Sequence, residues 1–175
     1  MIEIRFAGFG GQGILTTGMI CATAGMGLGK NVTWYPSYGS QMRGGTANCS
    51  VKFDDKAIAS PFLRNVDILC AMNTPSVDSF MGELKPGAVM FIDSGVVPAD
   101  YPFRDDIKVV PVPVNEIAAK CGNPRGANLV MLGAMAAHTD IFTVDEILAA
   151  VEKYFAKKGI DNPKNLDCLK EGAAC

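Results

Sequence analysis

Gly8-Phe9-Gly10-Gly11-Gln12-Gly13 places four glycines around one phenylalanine and one amide. Ile2 to Ala7 alternates like a strand, and the residues from Gln12 to Gly27 are small and apolar like a packed helix. Glycines at such a β–α junction allow a tight turn and let the backbone approach a ligand closely. The helix start adds free N–H groups and a partial positive charge, so the chemistry on offer is anion or phosphate binding. The spacing fits G-x-G-x-x-G, with Gly8, Gly10, Gly11, Gln12 and Gly13 as candidate contacts. A tight turn with no ligand is the plainer alternative.

A dinucleotide site would also want an acidic residue about 20 residues on, at the end of the next strand, for the ribose. No Asp or Glu stands between Glu3 and Asp54. That argues against ordinary NAD binding. The same stretch carries Arg5, Lys30, Arg43 and Lys52, a local positive bias that suits a phosphate-bearing ligand or an acidic partner surface.

A second candidate lies in Pro36 to Gly45, read as a loop dense in Gly, Ser and Tyr. Loops of this kind are costly to order unless they touch something. Tyr38, Gly39, Arg43, Gly44, Gly45 and Thr46 are its candidate contacts, with Arg43 able to clamp a phosphate or carboxylate. If the first two strands are neighbours, both loops share one crevice at the carboxyl edge of the sheet. Asn73, at the end of a later apolar strand, projects into that crevice or caps the helix that follows. Asn123 and Asn128 flank the start of a long apolar helix and read as its anchors. The only histidine, His138, reads as a surface or capping group. No Ser–His–Asp or Cys–His arrangement is visible, so no catalytic residue is assigned. Six cysteines without Cys-x-x-Cys spacing read as reduced thiols rather than iron–sulfur or zinc ligands.

The elements that must hold these loops alternate. Asn31 to Tyr35 predicts a second strand. Thr46 to Phe53 turns at Asp54-Asp55 into Lys56 to Ser60, a candidate β-hairpin. Val66 to Met72, Ala88 to Ile92 and Ile107 to Val112 are strand-like. Thr74-Pro75 offers a helix N-cap followed by proline, with Pro86-Gly87 as that helix's stop. Asn115 to Cys121 and Ala127 to His138 are helical, and Thr143 with Glu146 forms a capping box for a helix to Phe155. The expectation is a three-layer α/β/α fold with a mostly parallel sheet, an antiparallel hairpin and a Rossmann-like first β–α unit. Residues 1–155 read as a single domain, and 156–175 as a polar tail or short helix.

Bulk properties narrow the class. With 49% hydrophobic and 19% charged residues, the 175-residue chain can bury a full core. A net charge of −2 gives no general attraction to nucleic acid or anionic membrane. No apolar run approaches the ~18 residues a membrane helix needs, and no signal peptide is visible, so a cytoplasmic protein is expected.

Several motifs in register carry a resemblance. The glycine loop, Pro36-Ser-Tyr-Gly39, Met42-Arg-Gly-Gly-Thr-Ala-Asn-Cys49, Ser60-Pro61, Ala71-Met-Asn-Thr-Pro-Ser76 and Gly122-Asn-Pro-Arg-Gly-Ala-Asn128 resemble the gamma subunit of 2-oxoacid:ferredoxin oxidoreductases. The wording is most similar to the 2-oxoglutarate or branched-chain oxoacid type, although Ser40-Gln41 departs from it. The resemblance implies a non-redox subunit of an enzyme that converts a 2-oxoacid and coenzyme A to acyl-CoA and CO2. It implies thiamine diphosphate, Mg2+ and [4Fe–4S] clusters on alpha, beta and delta-type partner subunits, and a coenzyme A contact for the glycine-rich loops. A stand-alone anion- or nucleotide-binding module is the alternative.

Overall fold

Apolar residues on alternate positions of β1 (Ile2–Phe9) point to opposite sides of a six-stranded sheet, and this alternation assigns two different covers. Ile4 and Phe6 face one helical layer, whereas Ala7 faces the other side of the sheet. The computed structural model describes residues 1–38 and 45–175, with Tyr38 described by its backbone alone. The remaining strands are β2 (Asn31–Tyr38), β3 (Thr46–Asp54), β4 (Val66–Ala71), β5 (Leu84–Asp93) and β6 (Lys108–Val112). The helices are α1 (Ile14–Gly27), α2 (Thr74–Phe80), α3 (Val114–Lys120), α4 (Ala127–Ala137), α5 (Val144–Lys157) and α6 (Lys164–Ala173).

The sheet order is β2-β3-β1-β4-β5-β6. β1, β4, β5 and β6 pair in parallel, and β3 is antiparallel to both its neighbours. β2 therefore runs the same way as β1 but lies one strand away. Helices α1, α3, α4, α5 and α6 gather on one side, packing on Ile4, Phe6, Val51, Ile68 and Phe91. On the other side, α2 and residues 94–107 cover Leu69, Met90 and Ile92. The three-layer, mostly parallel arrangement matches the expectation.

One expected pairing and two expected boundaries do not. Thr46 to Phe53 does not fold back on Lys56 to Ser60. It is the middle strand β3, and its hairpin partner is β2. Alternation alone cannot choose between partners. Here the alternate residues Cys49, Val51 and Phe53 are needed under α1, in the interior of the sheet. β2 also extends beyond Tyr35, so Pro36 is a strand residue opposite Cys49. Proline lacks an N–H and is tolerated because β2 is an edge strand. Pro86 and Gly87 likewise lie within β5, after a 3-10 turn at Met81–Glu83 has ended the preceding helix.

α4 is buried all round, so it needs cover on the side away from the sheet. α6 supplies it, burying Cys168 and Leu169. The two helices approach until backbone meets backbone. A Cβ at Gly133 would stand 2.0 Å from the Leu169 carbonyl oxygen, and one at Gly172 would stand 2.0 Å from that of Val130. The capping box of α5 forms as read, with Thr143 and Glu146 each bonding the other's backbone N–H.

Candidate functional site

β1 connects to one side of the sheet and β4 to the other, so their carboxyl ends open the crevice at which doubly wound sheets bind ligands. The glycine loop sits there. Gly10 N–H donates to the Gly45 carbonyl at 2.8 Å, which sets the loop beside the start of β3. β1 and β2 are not the neighbours expected: antiparallel β3 stands between them, and its first residues lie at the edge where β1 ends.

Gln12 is the latch of the loop. Its Oε1 accepts from Phe9 N–H at 2.6 Å, and its Nε2 donates to the Met72 carbonyl at 3.3 Å, at the end of β4. Asn73 Nδ2 donates to the same Oε1 at 3.4 Å. Asn73 is itself the N-cap of α2, accepting from Ser76 N–H at 2.9 Å, where Thr74 had been the expected cap. Both ends of its buried amide bond within the protein, so Asn73 caps α2 and braces Gln12.

Gly13 closes the loop as the N-cap of α1, with a left-handed φ of 75° that favours glycine. It has no side chain to cap the helix, and the first turn carries no acidic residue. Among the described residues the leading amides of α1 have no acceptor, and donors of this kind attract anions. Beside them lies a cavity of about 410 Å³, lined by Phe9, Gly10, Gly11, Gly13, Ile14, Leu15, Thr16 and Ala47. Its walls are backbone and mostly apolar side chains, with Thr16 as the polar exception. Gly8 lies beneath, buried in β1, and Thr46 is exposed at the start of β3.

Asn128 was read as a helix anchor, yet it also braces this loop. Its Nδ2 reaches the Gly13 carbonyl at 3.3 Å and Thr17 Oγ1 at 3.2 Å. Thr17 in turn donates to the same carbonyl at 3.1 Å. Phe9, Ile14, Leu15, Thr16 and Ala47 line the cavity without having been read as site residues, because residues at a strand end or helix start look like core in a sequence. Asn123 holds α6 through Asn165 at 2.9 Å.

Three of the four early cations are paired within the protein; the fourth, Arg43, lies outside the described residues. Arg5 pairs with Glu83 at 2.8 Å, reaches Asn48 at 2.8 Å and lies over the Phe80 ring. Lys30 pairs with Asp55 at 2.6 Å, and buried Lys52 pairs with Glu3 at 3.1 Å. These three cations are satisfied within the protein. Tyr38 (beyond its backbone), Gly39, Arg43 and Gly44 lie outside the described residues, and Gly45 stands at their border.

The thiols near the site are poor ligands and nucleophiles. Burial pushes Cys49 up to about 12, and it likewise raises Cys21 and Cys70. Among the described residues, no group of three or more His, Cys, Asp or Glu is arranged to hold a metal ion, and no helix is long and apolar enough to cross a membrane.

Comparison with known proteins gives a consistent picture. The family described as "Pyruvate ferredoxin/flavodoxin oxidoreductase" matches residues 3–175. The ketoisovalerate oxidoreductase subunit VorA of Methanothermobacter marburgensis is 36% identical over 98% of this chain and 36% of its own. The chain thus spans about a third of the length of that relative. The gamma subunit of a keto/oxoacid ferredoxin oxidoreductase from Geobacter sulfurreducens superposes with a TM-score of 0.79 at 29% identity, covering 98% of this chain and 96% of that one. A 2-oxoglutarate:ferredoxin oxidoreductase chain from Magnetococcus marinus, solved with 2-oxoglutarate, coenzyme A and succinyl-CoA, superposes with a TM-score of 0.87 at 25% identity. It covers 99% of this chain and 30% of that one.

Proposed function

The chain belongs to the pyruvate ferredoxin/flavodoxin oxidoreductase family, and on that premise we propose that it serves as the gamma-type, non-redox subunit of a 2-oxoacid oxidoreductase whose glycine loop contacts coenzyme A. The 2-oxoglutarate or branched-chain class is the substrate reading, in keeping with the names of its relatives. Alpha, beta and delta-type partner chains carry thiamine diphosphate, Mg2+ and the [4Fe–4S] clusters.

One observation carries the coenzyme A reading: an uncapped, acid-free helix N-terminus opens on an apolar cavity and is braced from two sides. The residues of this chain fit that ligand. The amides of the glycine loop and of the first turn of α1 receive phosphate oxygens, and Arg43 adds a charge-assisted contact. Phe9, Ile14, Leu15 and Ala47 exclude water from the same side. Gln12 and Asn128 fix the loop before the ligand arrives, which lowers the entropy lost on binding. Coenzyme A supplies the thiol that takes up the acyl group. The residues do not fit an iron–sulfur cluster, because Cys21, Cys49 and Cys70 are buried with their thiols pushed up. No electron transfer of the oxoacid reaction is assigned to the residues of this site.

The test is reconstitution. The isolated chain is expected to oxidise no 2-oxoacid, and the complex with its partner chains is expected to do so with coenzyme A. Arg43→Ala in the complex is expected to raise KM for coenzyme A by about tenfold or more, since one charge-assisted contact is worth about 1.5–3 kcal/mol. Unchanged kinetics and assembly would remove Arg43 from the site. A chain that brings down no thiamine- or cluster-bearing partner from its host would instead be a stand-alone anion-binding module.

A further inference from the structure

The corner where α5 gives way to α6 forms a groove of about 460 Å³, on elements that the coenzyme A reading leaves unused. α5 ends in a Schellman turn. Gly159 N–H donates to the Ala156 carbonyl and Ile160 N–H to that of Phe155, both at 3.0 Å, with Gly159 at a φ of 67°. The chain then enters α6 at Pro163, where the Asn162 side chain accepts from Lys164 N–H at 3.2 Å. Buried Val151 and half-buried Phe155 and Leu166 give the groove its apolar lining, and Ile160 adds a side chain that is 45% exposed. Glu152 and Asp161 are the only charged residues that line it, and both are exposed. Among the described residues neither is ion-paired. Two nearby cations are engaged elsewhere: Lys158 donates to the Tyr154 hydroxyl at 2.6 Å, and Lys164 to the Gly122 carbonyl at 3.2 Å. The groove thus combines apolar walls with two carboxylates that folding leaves without a counter-charge.

We propose that this groove docks a basic amphipathic segment of a partner chain of the same oxidoreductase, one that sets a large apolar side chain between lysine or arginine residues. The apolar side chain seats against Phe155, Ile160 and Leu166, and the cations meet Glu152 and Asp161. In such an interface the buried apolar anchor carries most of the affinity. The charges orient the segment and speed its arrival, and an acidic segment would meet two like charges instead. The inference rests on the gamma-type reading for the identity of the partner and on the charge of the groove for the chemistry of the segment. It does not depend on where coenzyme A binds.

The test compares hydrogen exchange in the full chain alone and in the complex reconstituted with its partner chains. Amides of residues 152–166 are expected to exchange more slowly in the complex. The double change Glu152→Lys and Asp161→Lys is expected to weaken assembly by about tenfold or more and to reduce its dependence on salt. Ile160→Glu is expected to weaken assembly as well. Because all three positions are exposed, the Tm of the isolated chain should stay the same. Unchanged exchange over residues 152–166, with full assembly of both variants, would overturn the docking site and leave the gamma-type reading standing. Protection of these residues that grows with the concentration of the isolated chain would give the groove to a second copy and overturn the proposal too. A wild-type chain that assembles with none of the partner chains would sink both readings together.

Discussion

Asn128 donates to the carbonyl oxygen of Gly13 at 3.3 Å, joining residues 115 positions apart and tying the start of α4 to the glycine loop at the start of α1. The same amide reaches Thr17 Oγ1 at 3.2 Å. Replacing Asn128 with Ala removes both contacts from a buried position. The expected cost is about 1–3 kcal/mol in urea unfolding. Hydrogen exchange at the loop amides is expected to accelerate more than exchange in β5. Equal acceleration everywhere would show that Asn128 supports the whole fold and has no special hold on the loop.

Gln12 offers a second handle on the same loop, because its side chain connects Phe9 to the end of β4. Gln12→Ala is expected to raise KM for coenzyme A in the reconstituted complex, with a smaller effect on kcat. A fall in kcat with KM unchanged would separate the loop from ligand binding.

Gly172→Ala tests the contact between α4 and α6. Its new methyl would meet the Val130 carbonyl, which is helix backbone and cannot swing aside. A destabilisation of about 1–3 kcal/mol or more is expected by chemical denaturation. Gly27→Ala is the control: nothing lies within 4 Å of its Cβ position at the end of α1. That change should leave stability equal or slightly higher.

Glu3 sets an acid limb. Burial alone would raise its carboxyl, but hydrogen bonds from the Arg64 and Asn65 amides and the Lys52 ammonium outweigh burial and hold it below the usual range. Its contribution is present above the unfolded value of 4.5 and is lost as pH falls through the lower folded value. Glu3→Gln is expected to flatten Tm against pH below about pH 5. It should also cost about 3–5 kcal/mol at neutral pH, because Lys52 is left buried without its partner. A parallel acid limb in wild type and variant would assign the acid sensitivity to other groups.

The thiols should divide by location. Cys21, Cys49 and Cys70 are buried with raised pKa values, so the native protein should leave them unmodified by a maleimide at neutral pH. Cys175 and Cys121 should react, and all six cysteines should react in guanidinium. Native labelling of Cys49 would mean that α1 lifts from β3 far more often than this packing allows.

Local chemistry made part of this protein legible before any fold was known. The glycine run between a strand and a helix, the Thr143–Glu146 capping box and the helix apolar on every side all follow from neighbours a few residues apart, and each stands where it was read. Long-range partnership was not legible. The alternation of β3 suits many partners, and only the assembled sheet placed it between β1 and β2. Arg5 and Lys52 looked like cations available to a ligand until folding brought Glu83 and Glu3 to them. Asn73 caps α2, one of its two readings, and Asn128 braces the glycine loop besides standing at its helix start, for the same reason. An amide side chain can cap, brace or bind, and its choice depends on which distant donors and acceptors burial leaves within reach.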